Sequence, residues 1–175
     1  MSKNFRKMKV DNICKEEVAK LMPYKEPFFF IDKVIKLDSE KGEIVTEKKF
    51  NSDYEFFNCH FTDFPIVPGV LILEATGQAA SYYVRKISDE SKQNNLDVLA
   101  YEIKSAKISN PSFPDDVLRF ELKMKDKTPF WWNDKKPKIL SAKANVFCGN
   151  DLRGKATFDL AVLDKGRFRK RFLKK

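Results

Sequence analysis

Over much of the second half of the chain, apolar and polar residues alternate one by one. Leu118, Phe120, Leu122 and Met124 alternate with Arg119, Glu121, Lys123 and Lys125. This is the period of a strand with one face buried and the other wet. Leu140, Ala142, Ala144 and Val146 repeat the pattern, as do Ala156, Phe158, Leu160 and Val162, and Tyr101–Ile108 precedes the Pro111/Pro114 turn as a further candidate. Such half-polar strands predict one antiparallel sheet. In the first half the signals are shorter. The aromatic and β-branched run Phe28–Leu37 reads as a strand, and residues 43–50 after Gly42 as its hairpin partner. Before them, VDNICKEEVAKLMPYKEP carries Ile13, Val18 and Leu21 behind an acidic stretch, which predicts a short helix stopped by Pro23.

Between the halves the periodicity changes. From Val70 to about Arg85 there is no proline, and Val70, Leu71, Ile72, Leu73, Ala75, Ala79 and Ala80 fall on every side of a helix. A helix apolar all round must be surrounded. Strands before and after it therefore predict an α+β fold in which an antiparallel sheet wraps a central helix over about residues 69–86.

The 175 residues fit one domain, with no repeat and no Ser/Gly-rich linker to divide them. We place its boundary at residues 1–164, followed by a basic tail at 165–175, KGRFRKRFLKK, which holds seven positive charges and no acid. Runs of this kind are usually solvated and mobile. The net charge of +9 favours acidic partners without choosing among nucleic acid, membrane surface and protein. Cys14, Cys59 and Cys148 form no CxxC and no disulfide framework, so a reducing compartment is expected. The N-terminal residues lack the apolar core of a secretory signal, and no run approaches a membrane span, so the expected location is cytoplasmic.

Candidate chemistry concentrates in NCHFTDFPIVPGVLILEATGQAA, Asn58 to Ala80. Pro68 suits a helix start, and Gly69 admits close approach to the backbone. The free amides of Gly69 and Val70 would favour negative charge, as on a carbonyl oxygen becoming an enolate. Glu74, among Leu71, Ile72, Leu73 and Ala75, is placed for burial that would keep its carboxyl protonated and able to donate. Gln78, at i+4, can hold that carboxyl. His60, the only histidine, has the side chain suited to a base near neutral pH. Each also has a plainer reading: a surface or satisfied core histidine, and a glutamate paired with a strand lysine. Acid, base and oxyanion site together are what elimination of water β to a thioester carbonyl requires.

These residues resemble the hot-dog-fold β-hydroxyacyl-acyl-carrier-protein dehydratases of type II fatty acid synthesis. The likeness runs through His60-Phe61, Pro65-Ile66-Val67-Pro68-Gly69, Glu74 and Gln78, and upstream through Pro27, Phe28, Asp32 and Val34 of MPYKEPFFFIDKV. It implies a homodimer, in some cases a trimer of dimers, with His60 of one subunit paired with Glu74 of the other. Gly69 or Val70 would bind the thioester oxygen, and Phe61, Pro68 and Gln78 would line the substrate site. The implied partner is an acyl carrier protein bearing the substrate on phosphopantetheine, in fatty acid or related polyene biosynthesis. No metal or organic cofactor is implied, nor nucleic acid or stable membrane insertion.

Some positions depart from the pattern. Cys59 stands where the family usually has glycine, as in its isomerising branch, yet that branch carries aspartate at position 74, so Glu74 favours plain dehydration. Tyr24 replaces a histidine, and Asp63-Phe64 replaces a small or basic pair, changes that could reshape an acyl tunnel. The bulky connection Lys127–Lys138 reads as a loop whose Trp131 and Trp132 pack on the sheet, or as a lid. A hot-dog thioesterase, a non-catalytic acyl-binding scaffold and a nucleic-acid module using Tyr82, Tyr83, Trp131 and Trp132 are the competing readings.

Overall fold

The alternating segments become strands. In the computed structural model, which describes residues 5–128 and 137–173, seven strands form one antiparallel sheet in the order β1-β2-β3-β5-β6-β7-β4. Their ranges are β1 Lys9–Cys14, β2 Lys33–Asp38, β3 Glu43–Lys49, β4 Leu96–Ile108, β5 Val117–Asp126, β6 Lys138–Cys148 and β7 Asp151–Asp164. The apolar members of the three alternating runs are all buried, from Leu118, Phe120, Leu122 and Met124 through Leu140 to Val146 and Ala156 to Val162. Registry carries one face across the sheet: Thr46 sits opposite Phe120, and Phe120 opposite Val146. At the β2–β3 turn Gly42 has φ +68°, and a Cβ there would lie 2.5 Å from the Met124 carbonyl oxygen, so glycine is the residue that fits.

The sheet curls around α2, Gly69–Ile87, which packs against β3, β4 and β5. This is the hot-dog arrangement expected from the sequence. Ile72, Ala75, Ala79, Ala80, Tyr82 and Val84 are at most 1% exposed. The helix is not covered all round, however. Val70 is exposed and Leu73, Glu74 and Gly77 are half-buried. These positions follow i, i+3, i+4, i+7 and so form one face. The all-round apolar pattern thus has two causes: one face packs in this chain's core, while the first two turns offer a second face that the chain leaves open.

Three sequence expectations need correction. Residues 9–14 form β1 rather than the front of a helix, because Val10 and Ile13 pair with Leu37 and Val34 of β2; only α1, Lys15–Ala19, is helical. The strand expected over 28–37 begins only at Lys33, because upstream backbone groups bond to a side chain of α2 instead of a strand. Finally, the start of the 165–175 segment is ordered as α4, Lys165–Phe172, against β7 and the start of β4 and next to the Asn94–Asn95 turn that follows α3 (Glu90–Gln93). Its Arg169 makes two 3.0 Å bonds to the Asp97 carboxylate. Most of the Lys127–Lys138 connection, including Trp131 and Trp132, lies outside the described residues. No helix among the described residues is long and apolar enough to cross a membrane.

Candidate active site

His60 lies just after a 3₁₀ turn, Glu55–Asn58, on a loop whose backbone bonds are largely satisfied at home. The His60 amide donates to the Phe56 carbonyl, and Val67 N donates to the Ser112 carbonyl at 2.7 Å, tying the loop to the turn before β5. Ile66 holds His60 twice: its amide donates to the His60 carbonyl at 3.0 Å, and its carbonyl lies 3.2 Å from the ring Nδ1. A carbonyl only accepts, so Nδ1 is the donor, and in the neutral ring the lone pair falls on Nε2. Phe61 stacks on the imidazole with centroids 4.3 Å apart and is itself exposed. Phe64, of the departing Asp63-Phe64 pair, meets Phe113 edge-on at 5.6 Å and so helps fix the loop. The Cys59 thiol donates to the Phe56 carbonyl rather than to His60, which gives no Cys–His nucleophile pair.

The loop runs through Pro68, the N-cap residue of α2, into Gly69. No side chain caps this helix start, and the Gly69 and Val70 amides have no acceptor among the described residues. A Cβ on Gly69 would lie 2.9 Å from Cγ1 of Ile108. The close approach expected at this glycine is therefore made by the end of β4.

One turn and a half along the helix, Gln78 holds Glu74. Gln78 is fully buried; its Oε1 accepts from Phe30 N at 2.8 Å, and its Nε2 donates to the Phe28 carbonyl at 3.1 Å and to Glu74 Oε1 at 3.0 Å. These three bonds fix the amide orientation and use both side-chain N–H groups. Gln78 has no donor left for a substrate and is placed to orient Glu74. Glu74 is half-buried rather than fully buried, because the helix face that carries it is open. Tyr24 lies near it: burial, then the Glu74 charge, raises the phenol pKa, with Arg85 opposing. Asp32, one of the matching positions, joins Lys48 at 2.9 Å and caps the Lys49 amide at 2.8 Å, which locks the Phe28–Asp32 segment to β3. A cleft of about 710 Å³ adjoins the cluster, lined by Phe28, Phe30, Tyr54, Phe56 and Leu71 among others.

Among the described residues no hydrogen bond or ion pair joins His60 to Glu74 within the chain. Pro68, Gly69 and Val70 form the start of α2, and Phe61 stacks on His60 on the loop leading to them. Residue typing could not have found Ile66, because its carbonyl acts whatever its side chain. We expect Gln78→Leu, which strands the buried Phe30 amide, to cost about 2 kcal/mol. A thermal melt should then shift down by about 4–8 °C, and an unchanged melt would show that Gln78 is not holding this junction.

The FabA-like domain profile matches residues 22–152. In sequence, the 3-hydroxyacyl-acyl-carrier-protein dehydratase FabZ of Chlamydia caviae is 32% identical over 149 residues, 85% of this chain and 91% of that protein. FabZ of Fusobacterium nucleatum is 30% identical over 148 residues, 85% of this chain and 96% of its own length. FabZ of Ruminiclostridium cellulolyticum is 38% identical over 109 residues, 62% of this chain and 74% of its own. Among solved structures, a chain of the dehydratase heterocomplex ApeI:P from Xenorhabdus doucetiae superposes with a TM-score of 0.64 at 13% identity, covering 90% of this chain and 97% of that one. The fluoroacetyl-CoA thioesterase FlK superposes at 0.59 with 12% identity, covering 76% and 93%. These two likenesses concern the fold alone.

Proposed function

The chain belongs to the FabA-like family of hot-dog dehydratases, and on that premise we propose that it converts (3R)-hydroxyacyl thioesters carried on acyl carrier protein to trans-2-enoyl thioesters. The observation that carries the reading is the doubly held His60, its Nδ1 engaged by the Ile66 carbonyl so that Nε2 is the nitrogen left to act as base, on the loop leading into an uncapped helix start. Here His60 Nε2 takes the C2 proton. The Gly69 and Val70 amides receive the thioester oxygen as negative charge grows on it. Glu74, held by Gln78, is the acid that gives a proton to the 3-hydroxyl as the C3–O bond breaks and water leaves. His60 accepts the C2 proton and Glu74 supplies the proton that leaves in water.

The helix face left open at Val70, Leu73, Glu74 and Gly77 supports a dimer in which His60 comes from the other subunit. So does β4, the last strand of the sheet. From Leu99 to Ile108 every residue of β4 is exposed, including Tyr101 at 64% and Ile103 at 55%. A long apolar free edge of this kind is a template for a second strand. We assign the dimer contact to this edge in antiparallel pairing, and the enzyme to the cytoplasm.

Incubation with a carrier-bound 3-hydroxyacyl substrate is expected to yield the conjugated 2-enoyl thioester reversibly, followed by its near-ultraviolet absorbance. Free thiol released faster than enoyl product forms would favour the thioesterase reading instead.

A further inference from the structure

The family match ends at residue 152, whereas α4 follows at Lys165–Phe172. It carries five basic residues in eight, Lys165, Arg167, Arg169, Lys170 and Arg171. It is also anchored, and at a definite place. The Lys165 amide donates to the Asn95 carbonyl at 2.9 Å, Asn95 Nδ2 donates to Asp164 at 3.1 Å, and Arg169 grips Asp97 through both carboxylate oxygens. All these contacts lie at the start of β4. A groove of about 590 Å³ runs beside the helix, lined by Asn94, Asn95, Lys165, Arg169, Lys170 and Leu173 among others. Its donors are cationic or amide, and its shape and charge suit carboxylates or a phosphodiester.

The opposite end of β4 is where Ile108 touches Gly69. Thirteen strand residues separate the two ends by about 40 Å at ~3.3 Å per residue, so α4 is remote from its own chain's helix start. Antiparallel pairing of β4 with its symmetry mate reverses this. If the exposed stretch Leu99–Ile108 pairs with itself, Leu99 faces the partner's Ile108, and the anchored end of α4 comes beside the partner's helix start. Lys107 and Lys155, register neighbours near the Ile108 end, add positive charge to the same rim.

Resting on the dehydratase and dimer readings above, we infer that α4 is a docking surface for the acidic face of an acyl carrier protein, and that each protomer's α4 delivers the thioester to the site built on the partner's α2. A lipid surface is the weaker occupant. The helix has only eight residues, Phe168 is half-buried in a tilted pair with Phe172 at 5.0 Å, and the exposed apolar surface is confined to its end, at Phe172 and Leu173, beside a cationic groove.

The test uses the full chain and its K165E/K170E variant with a 3-hydroxyacyl group presented on phosphopantetheinylated carrier protein or on N-acetylcysteamine. The variant is expected to lose about tenfold in kcat/KM with the carrier-bound substrate at low salt, the gap closing as salt rises, and to be unchanged with the small thioester. K165Q/K170Q should fall between. Carrier kinetics equal to wild type, or an equal loss with both substrates, would overturn the inference. So would loss of binding to anionic phosphatidylserine vesicles alongside unaltered carrier kinetics. Should wild type dehydrate neither substrate, titration with holo carrier protein decides separately: binding that K165E/K170E weakens keeps the docking surface while the dehydratase reading fails, and no binding removes both.

Discussion

His60→Ala is expected to lower kcat for dehydration by about 10³-fold, the usual scale for removing a positioned general base, and Glu74→Gln to do so comparably. The folded state should hardly notice either change. His60 is only half-buried, the Ile66 amide still bonds to the residue-60 carbonyl, water can take over the one hydrogen bond the ring gives up, and the Phe61 ring stacked on it is already exposed. Glutamine at position 74 keeps a carbonyl oxygen where Gln78 Nε2 donates, so the clamp survives while the transferable proton is gone. The pair of variants thus separates chemistry from architecture, with melts close to wild type and turnover nearly absent. Gln78→Leu should behave differently, losing stability as well as rate. Steady-state kinetics and thermal melts on the same preparations check both. Wild-type turnover in either His60→Ala or Glu74→Gln would remove that residue from the proposed chemistry.

What the sequence disclosed depended on whether a side chain or a backbone did the work. The strands β5, β6 and β7 were legible because each buries one face in one chain, which writes a period of two into the residues. β1 was not, because only Val10 and Ile13 of Lys9–Cys14 are apolar and a charged surface hid the pairing that defines it. The Phe28–Asp32 segment has strand composition yet gives its Phe28 and Phe30 backbone groups to Gln78, a bond 48 to 50 residues distant that no local pattern encodes. At the site, His60, Glu74 and Gln78 declare themselves by residue type, and Gly69 by its lack of a side chain. The Ile66 carbonyl and the Ile108 contact do not, since one is common to every residue and the other depends on where β4 ends. Glu74 shows the limit from another side. Its apolar neighbours in sequence promised full burial, but Leu73 and Val70 flank it on an open face, so the missing cover has to come from outside the chain.

That missing cover leads to the second large effect. When His60→Ala and Glu74→Gln subunits are unfolded together and refolded in equal amounts, activity is expected to rise from near zero to about a quarter of wild type. Half of the random dimers are mixed, and each mixed dimer has one site with both native groups and one with neither. A site made within a single chain gives no such recovery, because every chain in the mixture lacks one group. The control is Ile103→Lys in both subunits. Ile103 is 55% exposed on the free edge of β4, so lysine there costs the single chain little, yet two lysines near the symmetry axis of an antiparallel pair repel and lose the apolar contact. The Ile103→Lys chain should therefore sediment as a monomer, turn over no substrate with native His60 and Glu74 in place, and abolish recovery in the mixed experiment. Recovery that persists in the presence of Ile103→Lys would move the shared interface away from β4, and an active Ile103→Lys monomer would place His60 and Glu74 in one chain.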